Sequence, residues 1–174
     1  MTLPKSRGFA CVGLDRPKTA SNVGAILRAC FCYGVAQVNI SKARVKDFDA
    51  KCNTPKAHRH LPVFLVDSPT AYVPHNAKIV VVDLLEGAIP LPEFVHPERA
   101  IYIFGPEDGT VGKEILSKAD FKVMVPTRSC MNLAAAVNVV LYDRMAKGAA
   151  FGEAFEASKT TSYISRRYKM EPAQ

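Results

Sequence analysis

The chain has 174 residues, 48% of them apolar, which is enough for one well-filled core and short for two. Its 23 Lys and Arg against 16 Asp and Glu leave a formal charge of +7. That excess suits a polyanionic partner such as nucleic acid as well as it suits an ordinary basic protein, and it says nothing about fold. The five cysteines, Cys11, Cys30, Cys32, Cys52 and Cys130, are odd in number and make no C-x-x-C pair. This points to a reducing, cytoplasmic compartment in which most of the thiols are small buried hydrophobes. The start, Met1-Thr2-Leu3-Pro4-Lys5, lacks a signal-peptide core, and no run approaches the ~18 apolar residues of a membrane span. A soluble chain that does not enter membranes is expected.

In chain order, the first apolar run, Phe9–Leu14, predicts a strand. A helix follows from Ser21 as N-cap to about Tyr33, with Gly34 as its stop and Val23, Ile26, Leu27, Cys30 and Phe31 as its buried face. Gly24 and Arg28 lie one turn apart on the other side, where the glycine would clear space beside a guanidinium. Arg28 could hold a phosphate or a developing alkoxide, with Asn22 orienting the group at the helix N-terminus, or it could simply face solvent. Further strands are predicted at Ala36–Ile40, Pro62–Val66, Lys78–Leu84, Ala100–Phe104 and Lys122–Val125, and helices at Val111–Ala119 and Leu133–Lys147. The stretches Asp67–Asn76 and Gly87–Arg99 read as connections. Alternation of this kind predicts an α/β fold, a mostly parallel sheet with helices on both faces, whose ligands sit beyond the carboxyl ends of the strands. The last helix is apolar around most of its circumference, which implies burial by the sheet and by a second subunit. Residues 1–150 are read as one domain and 151–174 as a basic, solvated tail.

Several familiar chemistries are excluded. Gly112-Lys113 is no P-loop, because Glu107 stands where its first glycine should be and Glu114 where Ser or Thr should bind magnesium. No G-x-G-x-x-G follows a strand, which argues against a dinucleotide-dependent oxidoreductase, and no G-x-S-x-G elbow supports a hydrolase. His58 and His60 have no ligand partners nearby in sequence, so no metal site is expected. Glu107, on the Gly105–Gly109 turn, could bind a ligand hydroxyl or amine, pair with Arg28, or cap the next helix. Asn132 could cap the last helix, hydrogen-bond a substrate, or do both.

Three segments taken together are recognisable: Asn22-Val23-Gly24-Ala25-Ile26-Leu27-Arg28, Phe104-Gly105-Pro106-Glu107-Asp108-Gly109, and Val125-Pro126 leading to Ser129-Cys130-Met131-Asn132-Leu133. They resemble the three ordered motifs of the TrmH (SpoU) branch of the SPOUT methyltransferases, over about residues 9 to 147. The resemblance implies an S-adenosylmethionine-dependent RNA ribose 2′-O-methyltransferase with a carboxyl-terminal trefoil knot, acting as a homodimer with sites at the subunit interface. By the same resemblance, the cofactor would lie against Asp83, Leu84, Gly87, Gly105, Val125, Pro126, Cys130, Met131 and Leu133. Arg28 would act on the 2′-hydroxyl, with Asn22, Glu107 and Asn132 as positioning residues. The family commonly has Ser-Leu-Asn-x-Ser where this chain has Cys130-Met131-Asn132-Leu133-Ala134, and its preceding loop is typically longer. The Met-Asn-Leu form is most similar to small members acting on the wobble nucleotide of tRNA, which favours tRNA over ribosomal RNA. The alternative implied is a non-catalytic RNA-binding protein that keeps the fold.

Overall fold

The computed structural model describes residues 8–44 and 57–148. Cys52 and the tail 151–174 lie outside the described residues. The strands are β1 (Phe9–Asp15), β2 (Val38–Ser41), β3 (Val63–Val66), β4 (Lys78–Val82), β5 (Ile89–Pro90), β6 (Arg99–Phe104) and β7 (Phe121–Met124), and the near-continuous apolar runs of β1, β2 and β6 are buried on both faces along most of their length. They form one seven-stranded sheet in the order β3-β2-β1-β6-β4-β7-β5, and every pairing is parallel. Helices α1 (Ala20–Cys32) and α2 (Lys113–Ser117) lie in the β1–β2 and β6–β7 crossovers, and α3 (Leu133–Lys147) follows β7. The period-two alternation of the strands divides the core. Val12, Leu14, Tyr102 and Phe104 pack with α1 and α3 residues such as Ile26 and Val137, while Cys11, Ile101, Ile103 and Val81 pack with Val111 and Ile115 on the opposite face.

Strand β5 falls inside the stretch read as a connection. Its ladder is two residues long, Ile89 opposite Val123 and Pro90 opposite Met124, too short to carry a periodic signal, and its proline is tolerated because the strand is an edge. Strand β7 lies between β4 and β5, so the 83–88 connection crosses β7 near its end.

Four local expectations change. Helix α1 begins at Ala20 with Thr19, not Ser21, at the N-cap and no side-chain cap, because the chain entering the helix is held by a distant carboxylate described below. Phe31 is 43% exposed and meets the ring of His60 at 5.5 Å. Gly24 is buried although it lies off the main apolar stripe, since α1 packs against α3 as well as the sheet. Helix α2 is shorter than Val111–Ala119, and its amino end is met by two aspartates: Val111 N–H donates to Asp83 (2.9 Å) and Gly112 N–H to Asp15 (3.4 Å). Helix α3 has the expected bounds, but within this chain only its Leu133, Ala134, Val137, Val140, Leu141 stripe is buried, and Tyr142 is exposed. Of the four described cysteines, Cys11 and Cys30 are buried and Cys32 and Cys130 exposed. No helix among the described residues is long and apolar enough to cross a membrane.

Toward the amino ends of β1 and β6, the last turns of α3 are fastened by polar contacts. Arg144 donates to the carbonyls of Pro97 (2.6 Å), Glu98 (2.7 Å) and Phe9 (3.3 Å) and to the Tyr102 hydroxyl (2.9 Å). His96 bridges Tyr102 through Nδ1 (2.7 Å) and the Asp143 carboxylate through Nε2 (2.8 Å), and Lys147 pairs with the same carboxylate. A carboxylate can only accept, so Nε2 carries the proton and Nδ1 accepts from the tyrosine. Protonating Nδ1 would leave the buried Tyr102 O–H without its acceptor and place a third cation beside Arg144 and Lys147. Burial pushes the His96 pKa down, against the opposing pull of Asp143.

In the unfolded chain His96 therefore binds its proton more readily than in the fold, so its contribution to stability is present above the ordinary histidine pKa and is lost as pH falls below it. Denaturant unfolding should show stability decreasing as pH drops from about 7 to about 5. In His96→Gln this slope should shrink, with lower stability at neutral pH.

Candidate active site

In a parallel sheet the carboxyl ends of neighbouring strands open at one edge, and crossover helices begin there. Here β4 ends in Asp83-Leu84, β6 in Gly105-Pro106-Glu107 and β7 in Val125, while α1 and α3 present Asn22 and Asn132 near their amino ends. Between them lies a pocket of about 440 Å³.

One chain of hydrogen bonds joins its walls. The Glu107 carboxylate accepts from the backbone N–H of Lys18 (2.8 Å) on one oxygen, and from Thr19 N–H (3.0 Å) and Asn22 Nδ2 (3.0 Å) on the other. Asn22 Oδ1 in turn accepts from Asn132 Nδ2 (3.0 Å). Asn132 Oδ1 caps α3 by accepting from Ala134 N–H (2.9 Å) and Ala135 N–H (3.2 Å). Partial burial works against ionisation of Glu107, but the donors from Asn22, Lys18 and Thr19 outweigh it and hold its pKa below the usual carboxylate range. Glu107 is thus an ionised anchor with both oxygens engaged. It neither pairs with Arg28 nor caps α2.

Gly105 sits at a close approach: a Cβ there would lie 3.1 Å from both the backbone nitrogen and a methyl carbon of Val111, so a side chain would push Val111 aside by a few tenths of an ångström. Two large apolar side chains, Leu84 and Met131, remain 55% and 37% exposed on the pocket wall, an arrangement suited to an apolar or aromatic ligand surface. Asp83 accepts from Leu84 N–H (2.7 Å) as well as from Val111, and faces the same space.

Of the residues singled out in the sequence, Asn22, Glu107 and Asn132 come together. Asp83, Leu84, Gly105, Val125, Cys130, Met131 and Leu133 also line the pocket. Pro126 and Gly87 do not; Pro126 sits between two lining residues, Val125 and Thr127, and Gly87 occupies a left-handed turn (φ 72°) after Leu84. Arg28 does not line it either. It is exposed on α1, with no hydrogen bond or ion pair among the described residues. Sequence reading missed Thr19, Val82, Thr127 and Ala136, and quoted Phe104, Pro106 and Gly109 only as parts of a motif. Thr19 and Ala136 could have been found as neighbours of the two helix starts, whereas nothing local marks Thr127. Among the described residues no group of three or more His, Cys, Asp or Glu could hold a metal ion.

The family model of the SpoU rRNA methylases matches residues 10–142. The chain belongs to this family. Solved structures share its fold. The SpoU methyltransferase AviRb of Streptomyces viridochromogenes is 23% identical with a TM-score of 0.68, over 82% of this chain and 60% of AviRb. The TrmH/SpoU tRNA-modifying enzyme of A. aeolicus is 21% identical with a TM-score of 0.72, over 94% of this chain and 88% of that enzyme. A protein whose structure concerns 2′-OH methylation of C/U34 on tRNA is also 21% identical, with a TM-score of 0.68, over 80% of this chain and 91% of its own. The chain thus spans about 60% of the first of these relatives and most of the other two. No curated protein matches it significantly in sequence. A carboxyl-terminal trefoil knot is typical of the shared fold.

Replacing Asn132 separates its two jobs. Asn132→Ala should lower the unfolding free energy by about 1 kcal/mol through loss of the cap, whereas Asn132→Ser keeps a capping oxygen and should lose only a few tenths. Glu107→Gln puts an NH2 group in place of one of the two oxygens that accept these N–H donors. Amide hydrogen exchange at Lys18 and Thr19 should accelerate in that variant while the amides of β1 and β6 stay protected.

Proposed function

We propose that the protein is a cytoplasmic, S-adenosylmethionine-dependent enzyme that methylates a ribose 2′-hydroxyl of RNA, with tRNA and its anticodon wobble nucleotide as the substrate. The observation that carries this reading is the Glu107–Asn22–Asn132 chain on the wall of a pocket at the strand ends. AviRb has been solved with AdoMet, and the two tRNA-related structures are matched over 91% and 88% of their length, which supports the cofactor and the RNA class. Residues 1–150 would act as one catalytic domain with 151–174 as a basic appendage.

The pocket suits the cofactor. Gly105 presents backbone with no side chain over it, Leu84, Val125, Met131 and Leu133 offer apolar surface, and Asp83 keeps carboxylate lone pairs for a hydroxyl or ammonium group. Gly87, Pro126 and Cys130 shape the same two loops. S-adenosylmethionine supplies, when bound, a methyl group made electrophilic by the sulfonium that it leaves.

Asn22 and Asn132 each use one N–H of their carboxamide within the network, so each keeps one for the ribose hydroxyl. Glu107, already satisfied, holds both amides in place without taking the proton. Bonding of the hydroxyl oxygen to the methyl carbon would break the carbon–sulfur bond with its electron pair left on sulfur, and the hydroxyl proton would pass to solvent water. A guanidinium offers donors and no acceptor, so the role of Arg28 is to stabilise the developing alkoxide. Since Arg28 lies outside its own pocket, the reading includes a homodimer in which a second subunit brings this arginine to the site.

Transfer of labelled methyl to total tRNA and ribosomal RNA, followed by mapping of the modified ribose, tests the assignment. Label should appear in tRNA at the wobble ribose; incorporation into ribosomal RNA alone would overturn the substrate, and incorporation into neither would overturn the activity. Arg28→Ala should cut single-turnover methyl transfer by about 100-fold or more while leaving S-adenosylmethionine affinity within about twofold.

A further inference from the structure

Beside the pocket, three charged side chains converge without serving the network described above. Arg44, just after β2, grips Asp108 with both terminal nitrogens (3.0 and 2.6 Å), and Lys18 reaches the same carboxylate from the β1–α1 loop (3.3 Å). Arg44 is itself held in place: its backbone N–H donates to the Pro17 carbonyl (2.9 Å), and its guanidinium to the Arg16 carbonyl (3.3 Å). The result is a preformed fork plus an ammonium, a donor set that fits a carboxylate and a phosphate equally well.

Its position is specific. Lys18 precedes Thr19, and Asp108 sits between Glu107 and Gly109; all three of those neighbours line the pocket. A phosphate is covalently attached to the ribose it flanks, so a ribose held at Asn22 and Asn132 has a phosphate close by. The side chains of Arg44, Lys18 and Asp108 are 43%, 56% and 44% exposed, and exposed ion pairs hold together weakly. A competing anion can therefore replace the carboxylate. The two cations also hold the Asp108 carboxyl well below its usual range, so it stays charged wherever the protein works.

Resting on the RNA-methyltransferase reading, we propose that Lys18 and Arg44 form the site for an RNA phosphate next to the target ribose, and that Asp108 fills this site as an internal stand-in until RNA displaces it. Asp108 then sets RNA affinity by competition: one cationic charge is cancelled in the free protein, and non-specific RNA is held less tightly than the bare cradle would hold it.

The test is fluorescence anisotropy with unfractionated tRNA and ribosomal RNA across a salt series, a suitable probe because phosphate contacts are independent of sequence. The full chain is compared with Asp108→Asn, Lys18→Ala and the double variant, with melting temperatures measured alongside. Asp108→Asn should bind several-fold more tightly and steepen the slope of log affinity against log salt by about one. Lys18→Ala should weaken binding and flatten the slope by about one, and the double variant should lose the gain. Unchanged or weaker binding by Asp108→Asn overturns the proposal. Lys18→Ala keeps the backbone bond to Glu107, so its failure to weaken binding overturns the proposal even if Asp108→Asn folds poorly. If the unaltered chain binds neither RNA, the proposed function falls with the inference; RNA binding indifferent to both residues sinks the inference alone.

Discussion

Pairing of β1 with β6, in register from Phe9 opposite Arg99 to Leu14 opposite Phe104, joins the first strand to one that arrives late in the chain. Both strands run the same way, so both end at the same level. The turn after β1 and the turn after β6 are therefore adjacent, and only then can Glu107 reach Lys18, Thr19 and Asn22. Closing so long a loop costs entropy that grows only slowly with its length, and the buried ladder of Cys11, Val12, Leu14, Ile101, Tyr102, Ile103 and Phe104 offsets it with apolar burial. Without that register the three motifs would be unconnected pieces of polypeptide.

Above the ladder, carboxylates do most of the joining. Asp15 and Asp83 meet the amino end of α2, Glu107 holds the entry to α1, and Asp108 gathers Lys18 and Arg44. Each acidic group satisfies backbone donors or cations from a segment remote in sequence. The loops at this edge are thus tied to one another as well as to their strands, which fixes the geometry of the pocket between them.

Helix α3 connects the two ends of the molecule. Its first residue follows Asn132 in the pocket, and its last turns carry Asp143, Arg144 and Lys147 into the network with His96 and Tyr102. Between these polar ends the stripe Leu133, Ala134, Val137, Val140 and Leu141 is buried in the core that it shares with α1 and with Val12, Leu14, Tyr102 and Phe104. Anchoring at both ends fixes its direction and, with it, the orientation of the Asn132 carboxamide toward Asn22.

The amino-acid sequence by itself determined the parallel α/β architecture, six of the strands, the bounds of α3, the Asn132 cap and the grouping of Asn22, Glu107 and Asn132, which meet in one hydrogen-bonded chain. These are legible because they rest on local periodicity, on capping chemistry, or on motifs whose order survives in the chain. Tertiary structure alone decided the partners of Glu107, the burial of Gly24, the exposure of Phe31, the two-residue strand β5 and the place of Arg28 outside its own pocket. Each of these depends on which segments the β1–β6 register and the packing of α1 on α3 bring together. A side chain's hydrogen-bond partner, unlike its helical or strand periodicity, is set by a contact between distant residues, and the local pattern carries no record of it.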